Sequence, residues 1–215
     1  MVKIIKSAKS TILKKDIEGV ISVLKKEFLG MGPKVKEFEK KLSNDFKTNV
    51  ACVVNGTAAI QLALQAHSIG KNGEVLVQSL TYLSTFQAIS ATGAKPISCE
   101  VYQDTMTIDI DDAQNKINSK TKAIVLVHYA GGVGNLNNYY KFAKKNKLIL
   151  IEDAAHAFGT TYKNKLIGSF NSTVTFSFDG IKNITSGEGG CVMSSKKSII
   201  NKVKDYRQLG IENMK

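Results

Sequence analysis

Residues 148–156 read LILIEDAAH, and residues 173–190 read TVTFSFDGIKNITSGEGG. The first opens as an unbroken apolar run, as does AIVLVH at 123–128. Such runs mark strands buried on both faces, the signature of a parallel sheet covered by helices. Working outward, further strand candidates fall at 50–54, 75–78, 95–99, 173–178 and 190–194. Helical patterns lie between them, at 57–67, 136–146 and 198–208, and at 16–29 and 34–44 before the first strand. The segment KVKEFEKKLSN at 34–44 follows Pro33, a residue suited to a first helical turn. Seven strands alternating with helices predict an α/β domain with a mostly parallel sheet. In such sheets ligands sit beyond the carboxyl ends of the strands, so the loops after each strand carry the functional reading.

Composition removes several classes. The 215 residues are 43% hydrophobic and 22% charged, which suits a packed domain and not a disordered chain. No run of 18 apolar residues occurs, and lysines interrupt the apolar stretches of MVKIIKSAKSTILKKD at the start. Neither a membrane span nor a secretory leader is expected. The net charge of +12 raises the question of nucleic acid, yet Arg207 is the only arginine among 30 basic residues. Arginine supplies the bidentate fork for phosphate and guanine, and the lysines are scattered, so no nucleic-acid partner is expected. The three cysteines, Cys52, Cys99 and Cys191, have no metal-ligand spacing and read as buried thiols in a reducing cytoplasm.

The strand ends hold four features. Asn55-Gly56-Thr57-Ala58 follows the first strand and opens a helix, reading either as a phosphate cradle or as an ordinary N-cap. Tyr82 follows the second strand and either stacks on a flat ligand or packs against the surface. Glu152 and Asp153 end the fifth strand. A carboxylate there is partly buried and needs a partner, such as a cationic ring nitrogen; otherwise Asp153 caps the next turn. His156 follows three residues on. Lys182 lies in a glycine-rich, low-charge passage between two buried strands, where a desolvated amine attacks a carbonyl to form a Schiff base. Phosphate cradle, stacking ring, buried acid and Schiff-base lysine together are the requirements of pyridoxal 5′-phosphate.

The segments NGTAAIQLAL, GEVLVQSLTY, GAKPISCEV, KTKAIVLVHYAG, IEDAAHAFGTTYKNKLIGS and FSFDGIKNITSGEGG occur in one order along nearly the whole chain. In that order and spacing the sequence resembles the DegT/DnrJ/EryC1/StrS aminotransferases of fold type I. The resemblance implies a homodimer that moves an amino group from glutamate to a keto-sugar carried on a nucleotide. It implies Lys182 as Schiff-base lysine and general acid/base, and Asp153 as partner of the pyridine nitrogen. His156 would face the cofactor 3-hydroxyl. Gly56, Thr57, Ala58 and Ser177 would hold the phosphate, Tyr82 would stack, and Asn183 and Glu188 would belong to the loop after the lysine. No metal is implied. A family branch with His in place of the lysine dehydrates keto-sugars, so Lys182 favours transamination.

Two departures accompany the resemblance. Asp179 stands where the family often has His. Family members are also longer, with a smaller C-terminal domain. Residues 1–215 are thus expected to be the cofactor-binding large domain, with 1–33 as an N-terminal segment and helix and the small domain missing. A non-catalytic remnant that binds cofactor or a partner subunit without turnover is the alternative expectation.

Overall fold

The structure is a computed structural model and describes residues 9–27 and 29–208. In chain order the elements are α1 (Lys14–Leu24), α2 (Pro33–Phe46), β1 (Asn49–Val53), α3 (Gly56–Ala66), β2 (Glu74–Gln78), α4 (Leu83–Ala91), β3 (Lys95–Cys99), α5 (Ile110–Asn115) and β4 (Thr121–Val127). There follow a 3-10 turn at Tyr129–Gly131, α6 (Leu136–Lys145), β5 (Ile149–Asp153), β6 (Thr161–Tyr162), β7 (Lys165–Leu166), β8 (Thr173–Ser177), β9 (Gly190–Ser194) and α7 (Lys197–Tyr206).

Seven strands form one sheet in the order β1-β9-β8-β5-β4-β2-β3. β3, β2, β4, β5 and β8 pair in parallel. β9 is antiparallel to both β1 and β8, so β1 runs with the other five and β9 alone is reversed. The sheet is sandwiched, as the apolar runs require. Along β2, Leu76 points to one core and Val75 and Val77 to the other, following the period of two. The first core packs Leu42 and Phe46 of α2 and Leu136, Tyr139 and Phe142 of α6 onto Ile124, Leu126, Val174 and Phe176. The second packs α3, α4 and α7 through Ile60, Leu64, Ile89, Ile200 and Val203 onto Ala123, Val125, Ile151 and Val192. Each such large side chain contributes about 1.5–3 kcal/mol on burial.

The expected seven strands are present within a residue or two of their expected ends. The opening helix stops at Leu24, short of residue 29, and none of its residues is buried. Two helices, α4 and α5, and the small β6–β7 hairpin were not anticipated. α4 (LSTFQAISA) intersperses polar residues on its buried face, including the fully buried Thr85, and α5 has only six residues, so neither shows a clean period. All three cysteines are free and buried. Among the described residues no helix is long and apolar enough to cross a membrane.

Candidate active site

Six strands run the same way, so the loops after β1, β2, β4, β5 and β8, with the approach to β9, emerge at one sheet edge. They surround a cavity of about 290 Å3 lined by Gly56, Thr57, Tyr82, Asp153, His156, Ser177 and Lys182, among others. Five separate strand ends thus deliver their chemistry to one place.

The first wall is the start of α3. The Asn55 side chain is the N-cap, its Oδ1 accepting the Ala58 N–H at 2.9 Å. The amide of Ala58 is therefore already used, and Ala58 does not line the cavity. The amides of Gly56 and Thr57 remain, at a helix end where intrahelical partners do not exist. Both readings of this turn thus hold: it is capped, and it still presents donors. Backbone packing here is tight. A Cβ on Gly56 would stand 2.8 Å from the Cβ of Ser177, and one on Gly190 would stand 2.5 Å from the Asn55 carbonyl oxygen. Only glycine lets the turn after β1 approach the ends of β8 and β9 this closely.

Asp153 closes the floor. It is 4% exposed and ends β5. Its Oδ2 accepts the Thr85 hydroxyl at 2.9 Å and its Oδ1 accepts the Ala155 N–H at 3.2 Å. The second bond is the turn cap considered from the sequence, so capping and burial coexist. Burial pushes the carboxyl pKa up, and the two hydrogen bonds and the fields of His128 and His156 offset this only in part. Both hydrogen-bond donors are neutral.

Glu152, one residue earlier, faces away into a closed polar network. Its Oε2 bonds His128 Nε2 at 2.8 Å, and its Oε1 accepts the hydroxyls of Tyr140 at 2.7 Å and Ser172 at 2.5 Å. Burial raises its pKa, but His128, Ser172 and Tyr140 outweigh that and hold the carboxyl below its usual range. The buried acid thus has the partner its sequence position demanded. The fully buried His128 and Thr85 were not singled out in the sequence, because a lone His or Thr after or within an apolar run carries no signal of its own.

Lys182 sits in the return between β8 and β9. Asp179 organises that turn: its Oδ1 accepts the Ile181 N–H at 3.2 Å and its carbonyl accepts the Lys182 N–H at 3.0 Å. Ser10 bonds the Gly180 carbonyl. Lys182 is half-buried, and its ammonium joins no ion pair among the described residues. His156 Nδ1 accepts the Ala130 N–H at 3.3 Å, and its ring meets Tyr129 edge-on at 6.1 Å. Burial and then the Lys182 charge lower its pKa. Tyr82 is 75% exposed, its ring unpacked at the cavity mouth. Asn183 does not line this cavity. Its amide donates to the Phe158 carbonyl at 2.8 Å, and it borders a smaller recess shared with His156 and Lys182. Glu188, Tyr129 and Ile181 line the cavity as well.

Residues 10–215 match the DegT/DnrJ/EryC1/StrS aminotransferase family. The chain is 39% identical over 181 residues to GDP-perosamine synthase of Escherichia coli O157:H7, covering 84% of this chain and 50% of that protein. It is similar to the crystal structure of sugar aminotransferase CalS13 from Micromonospora echinospora, with TM-score 0.93 and 30% identity over 99% of this chain and 60% of that one. It is also similar to the PLP-form of Spr1654 of Streptococcus pneumoniae, described as a sugar aminotransferase, with TM-score 0.87 and 30% identity over 95% of this chain and 56% of that one. The chain spans about half the length of the curated relatives it matches. Its sheet order and flanking helices are the large-domain architecture expected of fold type I. On the match across residues 10–215, the chain belongs to the DegT/DnrJ/EryC1/StrS aminotransferase family.

Proposed function

We propose that this chain is the cofactor-binding large domain of a pyridoxal 5′-phosphate-dependent aminotransferase. The reaction moves an amino group from glutamate to a nucleotide-linked keto-deoxy sugar, in the cytoplasm, for surface polysaccharide or glycan biosynthesis. The working unit is a homodimer. One observation carries the reading: Lys182 and the buried Asp153 border the same cavity as the glycine-built turn at Gly56. The printed names of the relatives support it, including a perosamine synthase and a PLP-form structure.

The residues present fit the group. Asp153 is a buried carboxylate whose bonded donors are neutral, so the site lacks a positive charge that a protonated ring nitrogen would supply. Gly56 lets the turn pack directly against Ser177, where a Cβ would stand 2.8 Å from that of the serine, and so brings the start of α3 and the Ser177 hydroxyl to one wall of the cavity, as a phosphate requires. When bound, pyridoxal phosphate supplies an electron sink for the carbanion left when the amino donor loses its Cα proton.

The chain does the rest. The Gly56 and Thr57 amides, with the Thr57 and Ser177 hydroxyls, would hold the phosphate at the positive end of α3. Asp153 would accept the hydrogen bond of a protonated ring nitrogen, and Tyr82 would stack on the ring. His156 would face the 3-hydroxyl. Lys182 Nζ would hold the cofactor through its aldehyde carbon and, as a free amine, would be the group that moves a proton at the donor Cα.

The test is the visible spectrum of the protein with added pyridoxal phosphate. A band present in wild type, absent in Lys182→Ala and bleached by glutamate is expected. A band that glutamate leaves unchanged favours binding without turnover, and no band overturns the proposal.

A further inference from the structure

Thr85 is completely buried on α4, and its hydroxyl has two oxygen neighbours. It lies 2.9 Å from Asp153 Oδ2 and 2.8 Å from the Thr81 hydroxyl. A hydroxyl carries one proton. If Thr85 gives it to Asp153, Thr81 must give its own to Thr85. With Asp153 ionised, the donors thus run from the cavity wall at Thr81 through Thr85 to the acid. Were Asp153 protonated on Oδ2, that chain would have to reverse. The remaining oxygen, Oδ1, is held by the Ala155 amide, so the carboxylate is fixed on both sides.

We propose that Thr81 and Thr85 form a hydroxyl pair that favours the ionised form of the buried Asp153 carboxylate and orients it toward the cavity. This makes them positioning residues. Their benefit to a ring nitrogen rests on the function proposed above; their action on Asp153 does not. The arrangement is economical in charge. Asp153 is enclosed by β5, by α4 through Thr85, and by the loops bearing His128 and His156, with Lys182 acting on His156 from across the cavity. No Lys or Arg bonds Asp153 among the described residues, so neutral donors carry its stabilisation. In the low-dielectric floor a donor to a charged acceptor is worth more than one to a neutral acceptor.

The decisive measurement is the Asp153 carboxyl titration, followed by carbon NMR in the full chain without cofactor. Thr85→Val removes the hydroxyl at nearly constant volume. Its Asp153 pKa is expected to rise by about one unit above wild type, the size of one hydrogen bond to a charged group. Thr85→Ser is expected to titrate as wild type. A Thr85→Val protein that titrates as wild type overturns the proposal. Should Thr85→Val fail to fold, the half-buried Thr81→Val is read in the same way, with a smaller upward shift expected and an unchanged value again overturning it. A second readout is pyridoxal phosphate affinity against pH. Thr85→Val is expected to lose affinity at a higher pH than wild type, about twofold at the new pKa and approaching tenfold below both pKa values. If wild type itself binds no pyridoxal phosphate, the proposed function fails while the titration still decides the role of the threonines.

Discussion

Gly56 and Ser177 meet so closely that a β-carbon on the glycine would lie 2.8 Å from that of the serine. The two residues begin α3 and end β8, so their contact joins the turn after the edge strand to the middle of the sheet. Gly56→Ala is expected to push these apart. The expected cost is about 1–3 kcal/mol of stability, as for other overpacked sites. Pyridoxal phosphate binding is expected to weaken alongside. Urea unfolding and a binding titration check both; an alanine variant equal to wild type in each would show that the turn yields without consequence.

Asp179 caps the turn that carries Lys182, through Oδ1 to the Ile181 amide. Asparagine preserves that acceptor and alanine does not. Asp179→Asn is expected to keep the visible band with pyridoxal phosphate, and Asp179→Ala to reduce its formation about tenfold, in line with one lost hydrogen bond of about 1 kcal/mol plus a looser turn. Equal losses in both variants would point to the charge instead of the cap.

Glu152 is the hub of a buried set, bonded to His128, Tyr140 and Ser172. Glu152→Leu leaves those three groups without their acceptor. It is expected to destabilise the fold by about 3–5 kcal/mol in chemical unfolding. Its folded pKa is depressed, so its contribution is present above the unfolded value and is lost as pH falls through the folded one. Denaturation midpoints of wild type and variant should therefore converge in acid.

His67 caps the end of α3, with Nε2 2.8 Å from the Thr173 hydroxyl. Burial, then the charges of Lys196 and Lys202, lower its pKa from 6.5 to about 4. The folded state thus resists a proton that the unfolded chain accepts. Stability is expected to fall as pH drops from 6.5 towards about 4, by on the order of 2–3 kcal/mol. His67→Gln should flatten that part of the stability–pH curve. An unchanged slope would assign the acid loss to other groups.

The seven strands were legible because a parallel sheet demands nearly continuous apolar runs, and LILIE and AIVLVH supply them. The loops worth reading followed from strand direction alone. Lys182, Asp153, His156, Tyr82, Thr57, Gly56 and Ser177 do border one cavity. What could not be read was lateral. Ala58 spends its amide on Asn55, and Asn183 spends its side chain on Phe158, and both choices depend on partners brought by the fold. Thr85 is one of several threonines until α4 sets it beneath Asp153. His128 gains meaning only once β4 lies beside β5, with the His128 amide bonded to the Asp153 carbonyl. Sequence patterns report burial and period; they do not report which buried polar groups meet.

The reversed strand β9 has a consequence for the order in which the molecule is made. Among the described residues β1 has no sheet neighbour but β9, and the side chain of Asn49 reaches the carbonyl of Ser194 across 145 positions of sequence. On a ribosome that delivers the chain from its N-terminus, the strand leading into the Asn55–Gly56 turn waits unpaired while β2 to β8 emerge. When β9 arrives it slots between β1 and β8 and brings Gly190 against Asn55. The Asn55–Gly56 turn and the loop that carries Lys182 are therefore fixed against each other in one late event, the arrival of β9.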